Sequence, residues 1–562
     1  MAYAFAVRYL FSTEAVFILC LIAVCCFPAI GTGWFNPLER LGSRLAARRR
    51  LAIFSIVALA ILARVSFLGI DPVPVPQVHD EFSYLLAGDT FAHGRLTNPP
   101  HPMWRFFDTF HVNQRPTYMS KYPPAQGAAL ALGERLGNPW IGVLLSMGAM
   151  CGAILWMLQG WLPARWALLG ASLVFLRFGL FHYWVDSYWG GAIAATGGAL
   201  VMGALPRMLR RQRPRDAVVM GVGAGILANS RPFEGFVFCL TVASFLGIWL
   251  IGSGRARWRI TLPRVVAPLL TVLIATAAFV GYYNWRVSGN PFLLPFTVND
   301  RTYMTTPLFV WEKAREPLQY ANQQFTDFYN DDNRVQWMLW FKSGPRPLLE
   351  HLAQEVGDFL SVYLWPQFLV MFIAIPCLLR GRKMRFPFAQ ALFCLLASLT
   401  GIWFWPHYLA PLTATVFLLV VQSLRHLRRW EFAGRPSGIA ISRVIILFSV
   451  SMIPLHAVEA IRNPETLSLW VTTMPERAKI LAQLEAMPGQ QLAIVRYSDD
   501  HSPHEEWVYN RADIDHARVV WAREDAGEDI QRLLEYYRGR TVWLVEPDAT
   551  PPRLSPYRAN DE

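Results

Sequence analysis

The chain has 562 residues, 54% of them hydrophobic and 16% charged, with 22 Trp, 36 Phe and a mean hydropathy of +0.27. An ordinary soluble domain is roughly 25% charged, so a single water-soluble fold is excluded. Apolar blocks of about 20 residues predict instead an all-α polytopic membrane protein with about twelve transmembrane helices. The net charge of +12 does not imply nucleic acid. The basic residues fill short gaps at 38–50, 206–216, 255–264, 380–385 and 425–435, as cytoplasmic loops do under the positive-inside rule.

In chain order the apolar runs fall near 12–31, 51–70, 138–158, 166–182, 190–205, 217–229, 233–252, 265–284, 361–379, 387–404, 408–424 and 441–459. The first is followed by arginines and not by a small-residue cleavage site, so it reads as a retained span. With the basic loops inside, 71–137, 286–360 and the chain beyond 460 lie on the outer face of the cell (inner) membrane. Residues 1–460 form the transmembrane part. Residues 461–562 read as a small extracytoplasmic α/β unit, with strands at 491–497, 506–510, 517–522 and 541–547 and helices at 475–487 and 527–539. All seven cysteines lie in apolar runs, which argues against a disulfide framework.

The span ending at Ile70 runs into DPVPVPQ, an extended exit, and then into VHDEFSYLLAGDTFAHG, a predicted helix ending at Gly94. Asp80 and Glu81 suit the cap and dipole of that helix. A carboxylate at the bilayer surface also suits a general base acting on a hydroxyl. In SKYPPAQG, Pro123 and Pro124 fix the backbone beside Lys121, which either snorkels or binds a lipid phosphate. Arg105 and Arg115 in the same loop can share that role.

The turn ANSRPFEG puts Arg231 outward, either paired with Glu234 or holding phosphate through its planar guanidinium. The turn FGLFHYWVDSYWGG is mostly an aromatic belt, with His182 and Asp186 as candidate acceptor-side or accessory groups. FWPHYLAPL opens a late span with His407 and Tyr408 at the outer face. Arg64, inside the second span, is expected to snorkel outward. His79, Asp80, Glu81, Asp89, His93, His101 and His111 crowd one loop, which leaves a divalent metal open, although no HExxH motif is present. The polar run Asp499, Asp500, His501, His504, Glu505 and Glu506 reads as a solvated loop.

An Asp-Glu pair following a span, a Lys121-Tyr122-Pro123-Pro124 element in the same outer loop, and this topology together resemble the GT-C superfamily of membrane glycosyltransferases. The nearest branch is that of protein O-mannosyltransferases and lipid A aminoarabinose transferases, and the likeness covers roughly residues 50–425. Tyr122 departs from the Lys-Pro-Pro form, while SYWGG and ANSRPFEG look like a bacterial branch of the superfamily. The resemblance implies inverting transfer of a sugar from a polyprenyl-phosphate donor to a hydroxyl of a lipid, glycan or protein acceptor. It implies Asp80 as the base and Glu81 as its orienting partner. It further implies that Lys121, Tyr122, Arg231, His407 and Arg115 hold the donor phosphate, and that an apolar groove takes the lipid. The alternatives are a lipid or solute transporter or flippase, and a non-catalytic lipid- or sugar-binding membrane protein. The absence of a paired inverted repeat and the few charges within the spans argue against transport.

Overall fold

A computed structural model describes residues 16–29, 31–252, 255–431, 434–462 and 474–558. Among these, six helices are long and apolar enough to cross a bilayer: Pro139–Trp161, Ala192–Arg211, Pro232–Ile251, Trp258–Ser288, Pro406–Leu427 and Ser437–Arg462. The 406–427 segment is enclosed by its neighbours, whereas 258–288 and 437–462 keep most of their apolar side chains on the outside. That outer surface is what a bilayer would cover.

The other predicted runs form shorter pieces. Residues 16–26, 164–178, 214–228 and 382–398 are helices of 10–17 residues, and 361–379 is broken into a 3₁₀ stretch at Pro366–Ala374 and a helix at Ile375–Arg380. Prolines at 366 and 376 and the glycine at 381 account for those breaks. The predicted loop 286–360 is largely helical, with Pro295–Tyr303, Asn333–Phe341 and the 19-residue Pro345–Tyr363.

The helices start where the sequence supplies caps. Asn138 accepts from the Trp140 N–H, and Pro139 occupies the first turn. Two contacts between helices are made at backbone distance. A Cβ on Gly198 would lie 2.0 Å from the Pro411 carbonyl oxygen, and one on Gly142 would lie 1.9 Å from that of Ala129. Only glycine allows those approaches.

Arg64 does not snorkel. The helix Arg49–Ser66 buries Ala52, Ile56, Ala60 and Arg64, one inward stripe at spacing four. The Arg64 guanidinium is fully enclosed and pairs with Asp186 at 2.8 Å and Asp71 at 3.1 Å. It also donates to the carbonyls of Asp71 and Pro72.

Two sheets are present among the described residues. β1 (Val112–Asn113) and β2 (Met119–Ser120) pair antiparallel and frame the loop ahead of Lys121. β3 (Gln491–Val495), β4 (Val519–Arg523), β5 (Thr541–Glu546) and β6 (Arg553–Pro556) form a sheet of order β4-β3-β5-β6, parallel except at β6. Helices Met474–Ala486 and Ile530–Tyr536 belong to the same unit. Residues 506–510, predicted as a strand, form no strand, and β6 lies beyond the predicted strands. The Tyr509 N–H bonds back to the Trp507 carbonyl at 3.0 Å, and the Asn510 side chain, not the backbone, exchanges hydrogen bonds with Trp521 of β4. Trp507 and Val508 are fully buried and Tyr509 is nearly so, and Tyr509 stacks flat on Phe82 at 4.1 Å.

Candidate active site

The helix His79–Ala92 is buried nearly all round, so its two ends and its few polar groups are set by neighbours on several sides. Gly127 lets the helix Pro124–Arg135 approach it, since a Cβ there would meet Ala87 at 2.6 Å. The adjacent carboxylates of its first turn have separate roles. Glu81 Oε2 accepts from the Gln77 and Val78 N–H groups at 2.6 and 3.1 Å, and Oε1 accepts from the Tyr188 N–H at 2.9 Å. Glu81 thus ties the helix start to the SYWGG turn, and no contact joins it to Asp80. Burial pushes the Glu81 carboxyl up to about 7 against those three donors.

Asp80 faces the other way. Its Oδ1 lies 3.1 Å from His111 Nδ1, and the Tyr122 hydroxyl lies 3.1 Å from the same nitrogen. Tyr84 stacks on Tyr122 at 4.4 Å. Burial pushes the Asp80 carboxyl up, but His111 and Lys121 outweigh it and hold the group below the usual carboxylate range. Asp80 is therefore charged at neutral pH.

Lys121 is buried, with its ammonium 5.2 Å from the ring centres of Tyr122 and Phe296. Burial pulls it down to about 8. Arg231 lies over the Tyr408 ring at 4.3 Å, within electrostatic reach of Asp80 and Tyr84. The Ala125 N–H donates to the Asn229 carbonyl at 2.9 Å, which joins the KYPP element to the ANSRP turn. Neither Lys121 nor Arg231 makes an ion pair among the described residues, so the Glu234 partner considered for Arg231 is not in pairing contact. His407 is buried beside Trp189 at 4.6 Å, with Nδ1 3.4 Å from the Tyr183 hydroxyl.

Several sequence candidates lie elsewhere. Asp186 is the counter-ion of Arg64, and its second oxygen accepts from the His182 N–H at 3.0 Å. Both residues therefore serve the knot around Arg64. Arg115 is exposed over Trp104 at 4.8 Å, and Arg105 pairs with Glu528 of the sheet unit at 3.2 Å. Asp89 accepts from the Ala512 N–H at 2.7 Å and pairs with His93. Among the described residues no set of three or more His, Cys, Asp or Glu is placed to hold a metal ion. The polar run 499–506 is not uniformly solvated: Glu506 is buried against Arg523, and His501 pairs with Asp548 at 2.7 Å.

His111, Tyr84 and Tyr509 are the site residues that sequence reading missed as such. The Tyr509 hydroxyl is 2.6 Å from His79 Nδ1, which brings the sheet unit to the start of the Asp80 helix.

Asp108 marks the seam between the two parts. It accepts from the Tyr303 hydroxyl at 2.7 Å, and its carbonyl faces Arg523. Burial pushes its carboxyl up to about 7. An acid whose folded pKa is raised binds a proton on folding, so its contribution is full in acid and is lost as pH rises from about 4 towards 7. Asp108→Asn is expected to remove part of the fall in melting temperature between pH 5 and 8, Glu81 accounting for another part. An unchanged slope in the detergent-solubilised chain would refute this.

The chain matches no protein-family model and no curated protein. Among solved structures it is similar to the oligosaccharyltransferase of Archaeoglobus fulgidus tethered with an acceptor peptide, at 12% identity and a TM-score of 0.48 over 82% of this chain. The chain spans 63% of that protein's length. It is also similar to ArnT from Cupriavidus metallidurans bound to undecaprenyl phosphate, at 13% identity and a TM-score of 0.47 over 88% of this chain and 92% of that one.

Proposed function

We propose that the protein is a GT-C-type glycosyltransferase that moves a sugar from a polyprenyl-phosphate donor to an acceptor hydroxyl at the outer face of the membrane. The observation that carries this reading is the pair of cations without an ion-pair partner, Lys121 and Arg231, converging on the Asp80–His111 contact. A buried ammonium without a contacting ion-pair partner is costly, and a phosphate supplies one. The departing phosphate of a lipid-linked sugar leaves as an anion and needs cations more than a general acid. The acceptor hydroxyl needs a base, and the Asp80–His111 pair supplies that function. The exposed apolar faces of the long helices offer the lipid a place to lie.

The test is transfer by purified protein from a mixed pool of radiolabelled undecaprenyl-phosphate sugars to membrane lipid, glycan and protein fractions. Label appearing in one fraction, dependent on the protein, is the expected result. Label appearing in none, with movement of the donor across sealed vesicles, would replace the reading with that of a flippase.

A further inference from the structure

His111 occupies an unusual place in the outer loop. Its Nδ1 lies 3.1 Å from Asp80 Oδ1 and 3.1 Å from the Tyr122 hydroxyl. The Asp80 carboxylate can only accept, so the tautomer that uses its approach carries the proton on Nδ1, beside the Tyr122 oxygen. That tautomer leaves the lone pair of the ring on Nε2. Nε2 has no protein partner among the described residues, yet it is not sealed: the side chain keeps 14% exposure. The outer nitrogens of His79 and His407, in contrast, are enclosed without partners.

The backbone is organised to hold this ring. His111 has φ +62°, a left-handed conformation that few non-glycine residues adopt. Its carbonyl accepts from Ser83 Oγ at 2.7 Å and from the Lys121 N–H at 3.1 Å, and Ser83 Oγ meets Ser120 Oγ at 2.7 Å. The ionisable groups facing the ring are Asp80 and His79 on the helix, Lys121 and Tyr122 in the KYPP element, and His504 from the sheet unit. Burial and Lys121 pull the imidazole below its usual range, while Asp80 pulls it back. The ring is thus neutral at pH 7 and able to accept a proton.

Resting on the glycosyltransferase reading, we propose that His111 Nε2 takes the proton of the acceptor hydroxyl, and that Asp80 acts through His111 as its positioning carboxylate. The acceptor O–H proton passes to Nε2 as the acceptor oxygen bonds to the anomeric carbon of the sugar. The bond from that carbon to the lipid phosphate oxygen breaks, and its electron pair stays on the phosphate, which departs facing Lys121 and Arg231. The imidazolium that forms is held beside the Asp80 carboxylate, as in other carboxylate–imidazole–nucleophile arrangements.

The experiment compares wild type, His111→Gly, His111→Asn and Asp80→Asn in the undecaprenyl-phosphate sugar assay, with and without millimolar imidazole. Glycine and asparagine both accept the left-handed backbone, so either variant keeps the fold. Both are expected to lose transfer by roughly 10²–10⁴-fold and to keep undecaprenyl phosphate binding. Imidazole is expected to restore at least about tenfold to His111→Gly, and nothing to Asp80→Asn. Near-normal transfer by His111→Gly or His111→Asn would overturn the inference while leaving the functional reading intact, as would a loss in His111→Gly that imidazole does not relieve. No transfer by wild type would overturn the functional reading, and this inference with it.

Discussion

Asp80→Asn is expected to lower sugar transfer by roughly 10³–10⁴-fold, about 4–5.5 kcal/mol of transition-state stabilisation, with little loss of folded protein. The two side chains have the same shape, so the helix His79–Ala92 keeps its packing. The charge is what disappears. An asparagine amide can donate to His111 Nδ1, which would move the ring proton to Nε2 and block the nitrogen proposed to take the acceptor proton. It also leaves an imidazolium without its counter-charge. The cost to stability is small because Asp80 is partly exposed and its helix-dipole contribution is about 0.3–1 kcal/mol. Transfer rates and melting curves measured on the same preparations check both halves. Retained transfer would remove Asp80 from the mechanism.

The second large effect is on stability. Arg64→Ala is expected to cost about 3–5 kcal/mol. The substitution leaves Asp71 and Asp186 close to one another with their shared guanidinium gone, and both side chains are nearly enclosed. It also frees the Asp71 and Pro72 carbonyls. Beyond Arg64, residues 72–76 are tied by the Tyr188 hydroxyl on the Pro74 carbonyl, and Glu81 is anchored on the Tyr188 N–H. The approach to Asp80 should therefore loosen as well, and transfer should fall with the melting temperature. Neutralising all three groups together, as Arg64→Met with Asp71→Asn and Asp186→Asn, should recover much of the stability. A melting temperature unchanged by Arg64→Ala would refute the account.

How much of this was legible in the sequence depends on what each residue's neighbours are. The apolar helices were legible because a bilayer demands unbroken apolar runs. Their number was not, because 166–182, 217–229, 361–379 and 387–404 are apolar by composition but end early or break at proline and glycine. The inward position of Arg64 could have been read from its spacing with Ala52, Ile56 and Ala60. The snorkelling rule misled because it assumes a lipid-facing side. The resemblance predicts the Asp80-Glu81 pair and the Lys121 element together, and Lys121 lies within electrostatic reach of Asp80. His111 was not legible, since its contact with Asp80 spans 31 residues and depends on one left-handed backbone position. EWVYN reads as a strand in isolation, but a turn bonds the Tyr509 N–H to the Trp507 carbonyl and the Asn510 side chain takes the ladder's place at Trp521.

The helix His79–Ala92 has one further consequence. Towards the KYPP element it presents Asp80 and Tyr84, and towards the sheet unit it presents His79, Phe82 and Asp89, which meet Tyr509 and the Ala512 N–H. A single rigid rod thus belongs to two binding equilibria. Thermodynamic reciprocity then applies: if a lipid phosphate near Lys121 tightens the seating of the sheet unit, whatever clamps that unit must raise the affinity for the phosphate by the same factor. If the proposed phosphate site near Lys121 is occupied, the sheet unit would in this sense be a handle on it.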